Sequence, residues 1–454
     1  MIKFLPLGGA GDIGASCFYL NLGDSGIILD CGMHPQKTGY NALPKLDLIK
    51  NLPVDNILIS HAHQDHIGAL PYLVQQHPYI KIISTPQTRA LAELTLHNSV
   101  SILSEQLNGE DKLKTYTHEE IDLLIRTIDY KAYGESFVIG NSFHQSWNPV
   151  KAVFYDAGHI LGSAGILLEY MGKKIFYTGD INLEDQILIP GAGLPPGPVD
   201  ILILETTYGA TDSSTILSWR EEAVRLAASI NKIINTGGSI LIPVFSLGKM
   251  QEILATIWNL MLDGKITTVD IYTGGIAEKI SRVYDYNRYT VNRVDPEFEI
   301  KSIPQKDLYE VDRIESFFKN PCIVLAPSGM MIEGTASYNL ARHWLKQSKS
   351  AIFTVGYMEE NTPGFIYANA AKGDKIKLPG TETFEEVKCT IEQFRFSAHS
   401  RREELLGIVK KLRPEIVCLI HGDLPAIDWI GASILKNFKG IKVHQAEIGK
   451  EIYL

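Results

Sequence analysis

Seven residues, Ser60-His61-Ala62-His63-Gln64-Asp65-His66, limit most tightly what this chain can fold into. They follow the apolar run NILI and precede IGALPYLVQQ, a run with helical spacing, so three imidazoles and a carboxylate crowd one strand-to-helix turn. Packing in a core does not accommodate that density of ionisable groups. His61 and His63, two apart in an extended turn, project together, while Asp65 and His66 point another way as the chain enters the helix. Two pairs aimed in two directions suit two adjacent metal ions. Imidazole and carboxylate donors without thiolate favour zinc, with manganese or iron as alternatives.

The surrounding sequence supplies a scaffold for such a turn. From Met1 to about Glu205 the chain runs in short β-rich segments, CFYLNL, GIILDCG, NILISH, KIIST, GILLEY, KIFYTGD and DILILE. Several close on a histidine, aspartate or glutamate, which sets polar groups along the carboxyl edge of a sheet. Helical periodicity with many charges takes over between Leu91 and Arg126. After Glu205 the texture changes: an amphipathic run over Ser218 to Asn235, the strand GGSILIPV, a helix over Lys249 to Leu262, then the strands TTVDIYTG and CIVLAP. That alternation predicts a βαβ parallel sheet. From Lys377 onward EVKCTIEQFRFSAHS, IVCLIHGD and KVHQAEI return to strands closing on histidines, so the first domain is predicted to be interrupted and completed at the C-terminus.

Bulk properties narrow the class. A length of 454 residues exceeds one comfortable core, and 45% hydrophobic with 21% charged residues is ordinary for a globular chain. No signal-peptide h-region and no apolar run of membrane-spanning length occur, and Cys17, Cys31, Cys322, Cys389 and Cys418 are scattered without a CxxC pair. A cytoplasmic protein with reduced core cysteines and no membrane partner is expected. The formal charge of −9 opposes nonspecific phosphate binding, so any nucleic-acid channel must be locally basic or depend on metal.

The HxHxDH turn resembles the signature of the metallo-β-lactamase superfamily, and the remaining superfamily positions follow in order: Asp30 in GIILDCG, His159 in AGHILGSAG and Asp180 in YTGDIN. Glu205-Thr206-Thr207-Tyr208-Gly209, His399 in FSAHS and His421 in LIHGD are similar to motifs A, B and C of the β-CASP nuclease branch, which includes ribonuclease J and the polyadenylation cleavage endonuclease. PVFSLGKMQEIL, LAPSGMM and VGYMEENTPG resemble its cap, so the likeness covers essentially the whole chain. It implies an α/β fold, an αββα sandwich over 1–205 completed by 378–454, with an inserted β-CASP α/β domain over 206–377. It also implies that His61, His63, His159 and Asp180 hold one metal and that Asp65, His66, Asp180 and His421 hold the other. Asp30 would orient the histidines from behind. His399 would be the general acid for the departing 3′ oxygen, oriented by Glu205. The implied activity is a two-zinc ribonuclease, or one using manganese, that leaves 5′-phosphate and 3′-hydroxyl ends in a cleft between core and cap. His421 tilts the substrate toward RNA, because DNA-repair members of the branch typically carry valine there. Departures are Ser400 and Arg401 where alanine and aspartate are usual, and Ser246 and Lys249 in place of alanine and arginine.

Weaker signals remain. GGAGDIG lacks the GK[ST] ending of a phosphate loop and reads as a tight turn. Ser328-Gly329-Met330 and the loop from Gly356 to Gly364 offer backbone amides for phosphates, and Lys249, Arg395, Arg401 and Arg402 are candidates for a basic channel. His34, His77, His97, His118, His144, His343 and His444 read as structural or surface residues. Rival functions are a DNA nuclease or small-molecule hydrolase on the same core, and a non-catalytic subunit that positions RNA. Endonuclease against 5′-exonuclease mode is open, as is oligomeric state, with a homodimer one option.

Overall fold

Side chains along the strand Ile201–Glu205 alternate between two apolar layers: Ile201 and Ile203 join one cluster, Leu202 and Leu204 another. This period of two is what a sheet buried on both faces requires. The computed structural model describes residues 2–106, 116–140, 148–356, 358–360 and 362–454; His144 lies outside them, as do Tyr357 and Asn361 of the Gly356 to Gly364 loop. Contacts divide the chain into one unit of Met1–Glu184, Gly191–Thr215 and His399–Leu454, and another of Asp185–Pro190 and Ile216–Ala398.

The first unit holds two seven-stranded sheets. One runs in the order Ile452–Tyr453, Ile2–Gly8, Cys17–Leu22, Ser25–Leu29, Asn56–Leu58, Lys81–Ser84 and Ile128–Tyr130, the last four mutually parallel. The other runs Lys442–Gln445, Ile416–Ile420, Ile201–Glu205, Lys173–Tyr177, Ala164–Tyr170, Val150–Asp156 and Ser136–Ile139, its first four parallel. Phe4, Phe18, Leu20, Ile27 and Leu58 of the first sheet form a single cluster with Phe154, Ile166, Leu168, Tyr177 and Cys418 of the second, the apolar filling of a sandwich. Over the outer face of the second sheet, Leu405, Ile408 and Val409 of the helix Arg402–Leu412 and Ile427, Ile430 and Ile434 of the helix Leu424–Asn437 bury Leu202, Leu204, Val417 and Leu419. Ile28, Ile57 and Ile82 alternate away from the sandwich in the first sheet and are still buried; the helices Leu70–Gln76, Pro86–Gln106 and His118–Thr127 belong to this half. This is the αββα arrangement.

The second unit is a six-stranded, wholly parallel sheet ordered Lys306–Asp307, Asp270–Thr273, Cys322–Ala326, Ile240–Pro243, Ala351–Val355 and Thr390–Phe394. Its helices include Trp219–Ile234, opened by a capping box in which Ser218 and Glu221 satisfy each other's backbone amides, and Lys249–Leu262. The parallel βαβ reading of this stretch agrees with the structure. Its far boundary does not: Thr390–Phe394, assigned from sequence to the completing segment from 378, pairs with Ala351–Val355 instead. Arg225 of the helix Trp219–Ile234 fastens it there, with Nη1 2.8 Å from Glu392 and the guanidinium 4.0 Å over the Phe394 ring. The completing segment of the first unit therefore starts at His399. Asp185–Pro190 also belongs to the second unit, for a reason found in Glu252, whose buried carboxylate accepts the amides of Ile187 (2.9 Å), Leu188 (2.8 Å) and Ile189 (3.2 Å).

All five cysteines are buried and free of disulfides. Among the described residues no helix is long and apolar enough to cross a membrane.

Candidate metal centre

The carboxyl ends of strands carry the chemistry of the first unit. Ser25–Leu29 delivers Asp30, Asn56–Leu58 leads to the HAHQDH turn, Val150–Asp156 to His159, Lys173–Tyr177 to Asp180, Ile201–Glu205 ends on Glu205, and Ile416–Ile420 delivers His421. Asp30 (φ 59°) and His421 (φ 46°) adopt left-handed backbone, uncommon for residues other than glycine, so each is held there by its surroundings.

Two groups of donors result, His61, His63, His159 and Asp180, and Asp65, His66 and His421. In the first, His63 Nδ1 lies 3.1 Å from both His61 Nε2 and His159 Nε2, and Asp180 Oδ2 lies 3.6 and 3.7 Å from those two imidazoles. In the second, Asp65 Oδ2 is 3.7 Å from His66 Nε2 and 3.5 Å from His421 Nε2. Asp180 faces both groups, because its other oxygen, Oδ1, is 3.3 Å from His66 Nε2. Donors at the corners of a tetrahedron with bonds of about 2.0–2.1 Å stand roughly 3.3–3.4 Å apart, so these spacings match cations of zinc's size. A second observation agrees: the buried Asp180 Oδ1 makes no well-aligned hydrogen bond among the described residues and is faced at 3.3 and 3.4 Å by the imidazoles of His66 and His421, donors that a cation would share with it.

Electrostatics point the same way. Burial, reinforced by the neighbouring imidazoles of His66, His159 and His63, holds His61 well below the usual imidazole range, which leaves it neutral. Burial would raise the carboxyl groups of Asp65 and Asp180, but adjacent imidazoles outweigh it and keep both ionised. Burial likewise opposes charge on His66, yet Asp180, Asp65 and Asp30 overcome it and hold its pKa well above the ordinary value, so a cation would take the place of a proton there.

Behind this layer Asp30 accepts hydrogen bonds from the amide and hydroxyl of Ser60, both at 2.6 Å, and from the hydroxyl of Tyr177 at 2.6 Å. His66 Nδ1 lies 2.8 Å from the same carboxylate, which turns His66 Nε2 toward Asp65 and Asp180. Glu205, fully buried, accepts the amides of Ile181 and Thr207 and lies 3.1 Å from His399 Nδ1. The His399 ring is 4.6 Å from that of His159.

The proposed substrate contacts are placed differently. Arg401 is paired with Glu184 at 2.9 Å, and Arg402 with Asp212 at 3.1 Å while stacked over Trp429. Lys249 donates to the carbonyl of Phe396 and lies 4.9 Å from the Trp219 ring centre; burial draws its ammonium down to about 8 against the pull of Glu252. Ser328 accepts the amide of Ile332, Gly329 packs against Phe245, and the Arg395 amide donates to Glu222. Ser328, Gly329, Lys249 and Arg395 lie in the second unit and Arg401 in the first. His97 and His118, read as surface residues, form a pair with Nδ1 atoms 2.7 Å apart. Sequence reasoning missed Ser60, Tyr177 and Thr207, hydroxyl residues beside the motifs whose part depends on which strand end lies opposite.

Comparison with known proteins agrees with this geometry. Residues 10–213 match the family model of the metallo-beta-lactamase superfamily, 250–365 that of the Beta-Casp domain, and 385–446 that of the Zn-dependent metallo-hydrolase RNA specificity domain. An "RNase J-like protein" of Methanocaldococcus jannaschii is 33% identical over 422 residues, covering 92% of this chain and 91% of that one. The "Cleavage and polyadenylation specificity factor subunit 3" of Dictyostelium discoideum and "Endoribonuclease YSH1" of Yarrowia lipolytica are each 29% identical, and the chain spans 56% and 53% of their lengths. A crystal structure of a protein of unknown function from Enterococcus faecalis V583 superposes with a TM-score of 0.60 at 13% identity over the full length of both chains, a likeness of fold. The sandwich and its strand-end cluster of histidines and aspartates define a metal-dependent hydrolase fold. Within it, this chain belongs to the β-CASP branch of the metallo-β-lactamase superfamily.

Proposed function

We propose that the chain is a two-zinc ribonuclease that hydrolyses RNA phosphodiester bonds to 5′-phosphate and 3′-hydroxyl ends. The observation that carries this is Asp180, one carboxylate facing two donor groups with one oxygen toward each. His61, His63, His159 and Asp180 would hold one ion, and Asp65, His66, His421 and Asp180 the other. Bound there, two divalent cations would lower the pKa of a water and neutralise charge on the scissile phosphate. His399, anchored through Nδ1 on Glu205, delivers a proton from Nε2 to the departing 3′ oxygen. The buried Glu205, itself fixed by two backbone amides, keeps the imidazole in one orientation as that proton leaves. RNA rather than DNA is supported by the RNA specificity match over 385–446 and by the names of the relatives. The five buried, unbridged cysteines support a reducing, cytoplasmic setting.

The test is incubation of 5′- and 3′-labelled RNA and matched DNA with zinc- or manganese-loaded protein. RNA fragments ending in 5′-phosphate are expected, and mononucleotides released only from the 5′ label would define exonuclease action. His399→Ala should lower the rate about 10²- to 10⁴-fold while zinc content stays at the wild-type level. Asp65→Ala should lose metal content and cleavage together, and undiminished cleavage by that variant would falsify the assignment.

A further inference from the structure

A histidine that ligates through one ring nitrogen needs an acceptor for the proton on the other, and that acceptor fixes both tautomer and ring angle. For His66 the partner is Asp30. For His421 the structure offers Thr207: its Oγ1 lies 3.0 Å from His421 Nδ1, on the opposite side of the ring from Nε2, which faces Asp65. We propose that Thr207 is the positioning residue of His421, accepting the Nδ1 proton and thereby presenting the Nε2 lone pair to the second ion. This rests on the two-metal reading above.

The chain fixes Thr207 there by pairing two strand ends. Glu205 stands opposite Ile420 in the parallel register, and beyond it the Thr206 amide donates to the His421 carbonyl at 3.1 Å while the Thr206 hydroxyl donates to the Ile420 carbonyl at 2.9 Å. The Thr207 amide is held by Glu205 Oε2 at 2.9 Å, so one acid steadies both His399 and the turn that carries Thr207. With its oxygen occupied by the Nδ1 proton, the Thr207 hydroxyl has the His421 carbonyl at 3.4 Å as its own acceptor. The opposite polarity, Thr207 donating to Nδ1, would put the ring proton on Nε2 and close that nitrogen to a cation. Asp180 Oδ1 is also 3.4 Å from Nδ1, so an alternative in which Nδ1 ligates makes the opposite forecast for a variant without the hydroxyl.

The experiment is zinc titration by chelator competition on the full-length chain, with cobalt(II) absorption as a second readout, for wild type, Thr207→Val and Thr207→Ser. Valine keeps the shape and removes the acceptor; serine keeps the acceptor. The expected result is that Thr207→Val weakens one of the two ions about 10- to 100-fold and alters the cobalt spectrum, that the other ion is unaffected, and that Thr207→Ser stays within about threefold of wild type. Unchanged or tighter binding of both ions by Thr207→Val would overturn the proposal, as would equal weakening by valine and serine. A wild type that takes up only one ion would instead overturn the two-metal reading itself.

Discussion

The carboxylate of Asp30 gathers four partners although it is wholly buried: the amide and hydroxyl of Ser60, the hydroxyl of Tyr177 and Nδ1 of His66. Each donor left without its acceptor in a dry interior costs about 1–3 kcal/mol, so Asp30→Ala is expected to lower stability by at least about 3 kcal/mol. Because His66 would lose its orientation at the same time, zinc binding should weaken about 10- to 100-fold. Denaturant unfolding and zinc titration on one preparation check both, and a variant with wild-type values in each would contradict the arrangement. Asp30 was visible in the sequence only because it falls in order with the HAHQDH turn, His159 and Asp180 among the superfamily positions, since a lone acid closing an apolar strand is usually a turn or cap residue. The HAHQDH turn was visible through sheer density of ionisable groups, and the structure brings its four ionisable side chains together with His159, Asp180 and His421. Ser60, Tyr177 and Thr207 were not, since a hydroxyl at a strand end is commonplace until the partner strand is known. Arg401 illustrates the converse: the cation was conspicuous, and its pairing with Glu184, 217 positions away, was not.

Among the elements, the helix Lys249–Leu262 does more than cover a sheet, because its Glu252 captures the segment Asp185–Pro190 through three backbone amides. Burial pushes the Glu252 carboxyl up from 4.5 to about 7, with the amides and the nearby Arg293 and Lys249 keeping it from rising further. A folded-state pKa above the unfolded one means that the unfolded chain ionises first, so this group's contribution is fully present below about pH 4.5 and is lost as pH rises to about 7. Between pH 5 and 8 the wild type should therefore lose roughly 2–3 kcal/mol relative to Glu252→Gln, which does not titrate. Unfolding free energies of the two proteins across that range test it, and a difference independent of pH would refute the buried, protonated state. Neither this capture nor the membership of Thr390–Phe394 could be read in advance. EVKCTIEQFRF has the same apolar texture as strands of the first unit, and only its pairing with Ala351–Val355 and the grip of Arg225 decide which sheet it joins. Helices with strong local signals, such as Lys249–Leu262 and Trp219–Ile234 with its Ser218 cap, were legible almost to the residue because caps and period are local properties.

For the whole molecule, the net charge of −9 has to be reconciled with the polyanionic substrate proposed above. Three of the cations nominated for phosphate binding are already engaged: Arg401 by Glu184, Arg402 by Asp212, and Lys249 by the Phe396 carbonyl and the Trp219 face. A protein that grips RNA mainly through side-chain cations releases a counterion for each phosphate neutralised, and its affinity falls steeply with salt, by about 0.7 in the logarithmic slope per contact on a single strand. If the two cations proposed above supply most of the attraction, at the site framed by Asp180, few counterions should be released. The logarithm of the affinity for single-stranded RNA, measured with zinc-loaded His399→Ala to prevent turnover, should fall with the logarithm of salt concentration at a slope no steeper than about −2, corresponding to two or three contacts. Stripping the zinc with a chelator should then weaken binding more than raising salt from 50 to about 200 mM does. A slope steeper than about −5, surviving metal removal, would instead assign RNA affinity to an extended basic surface.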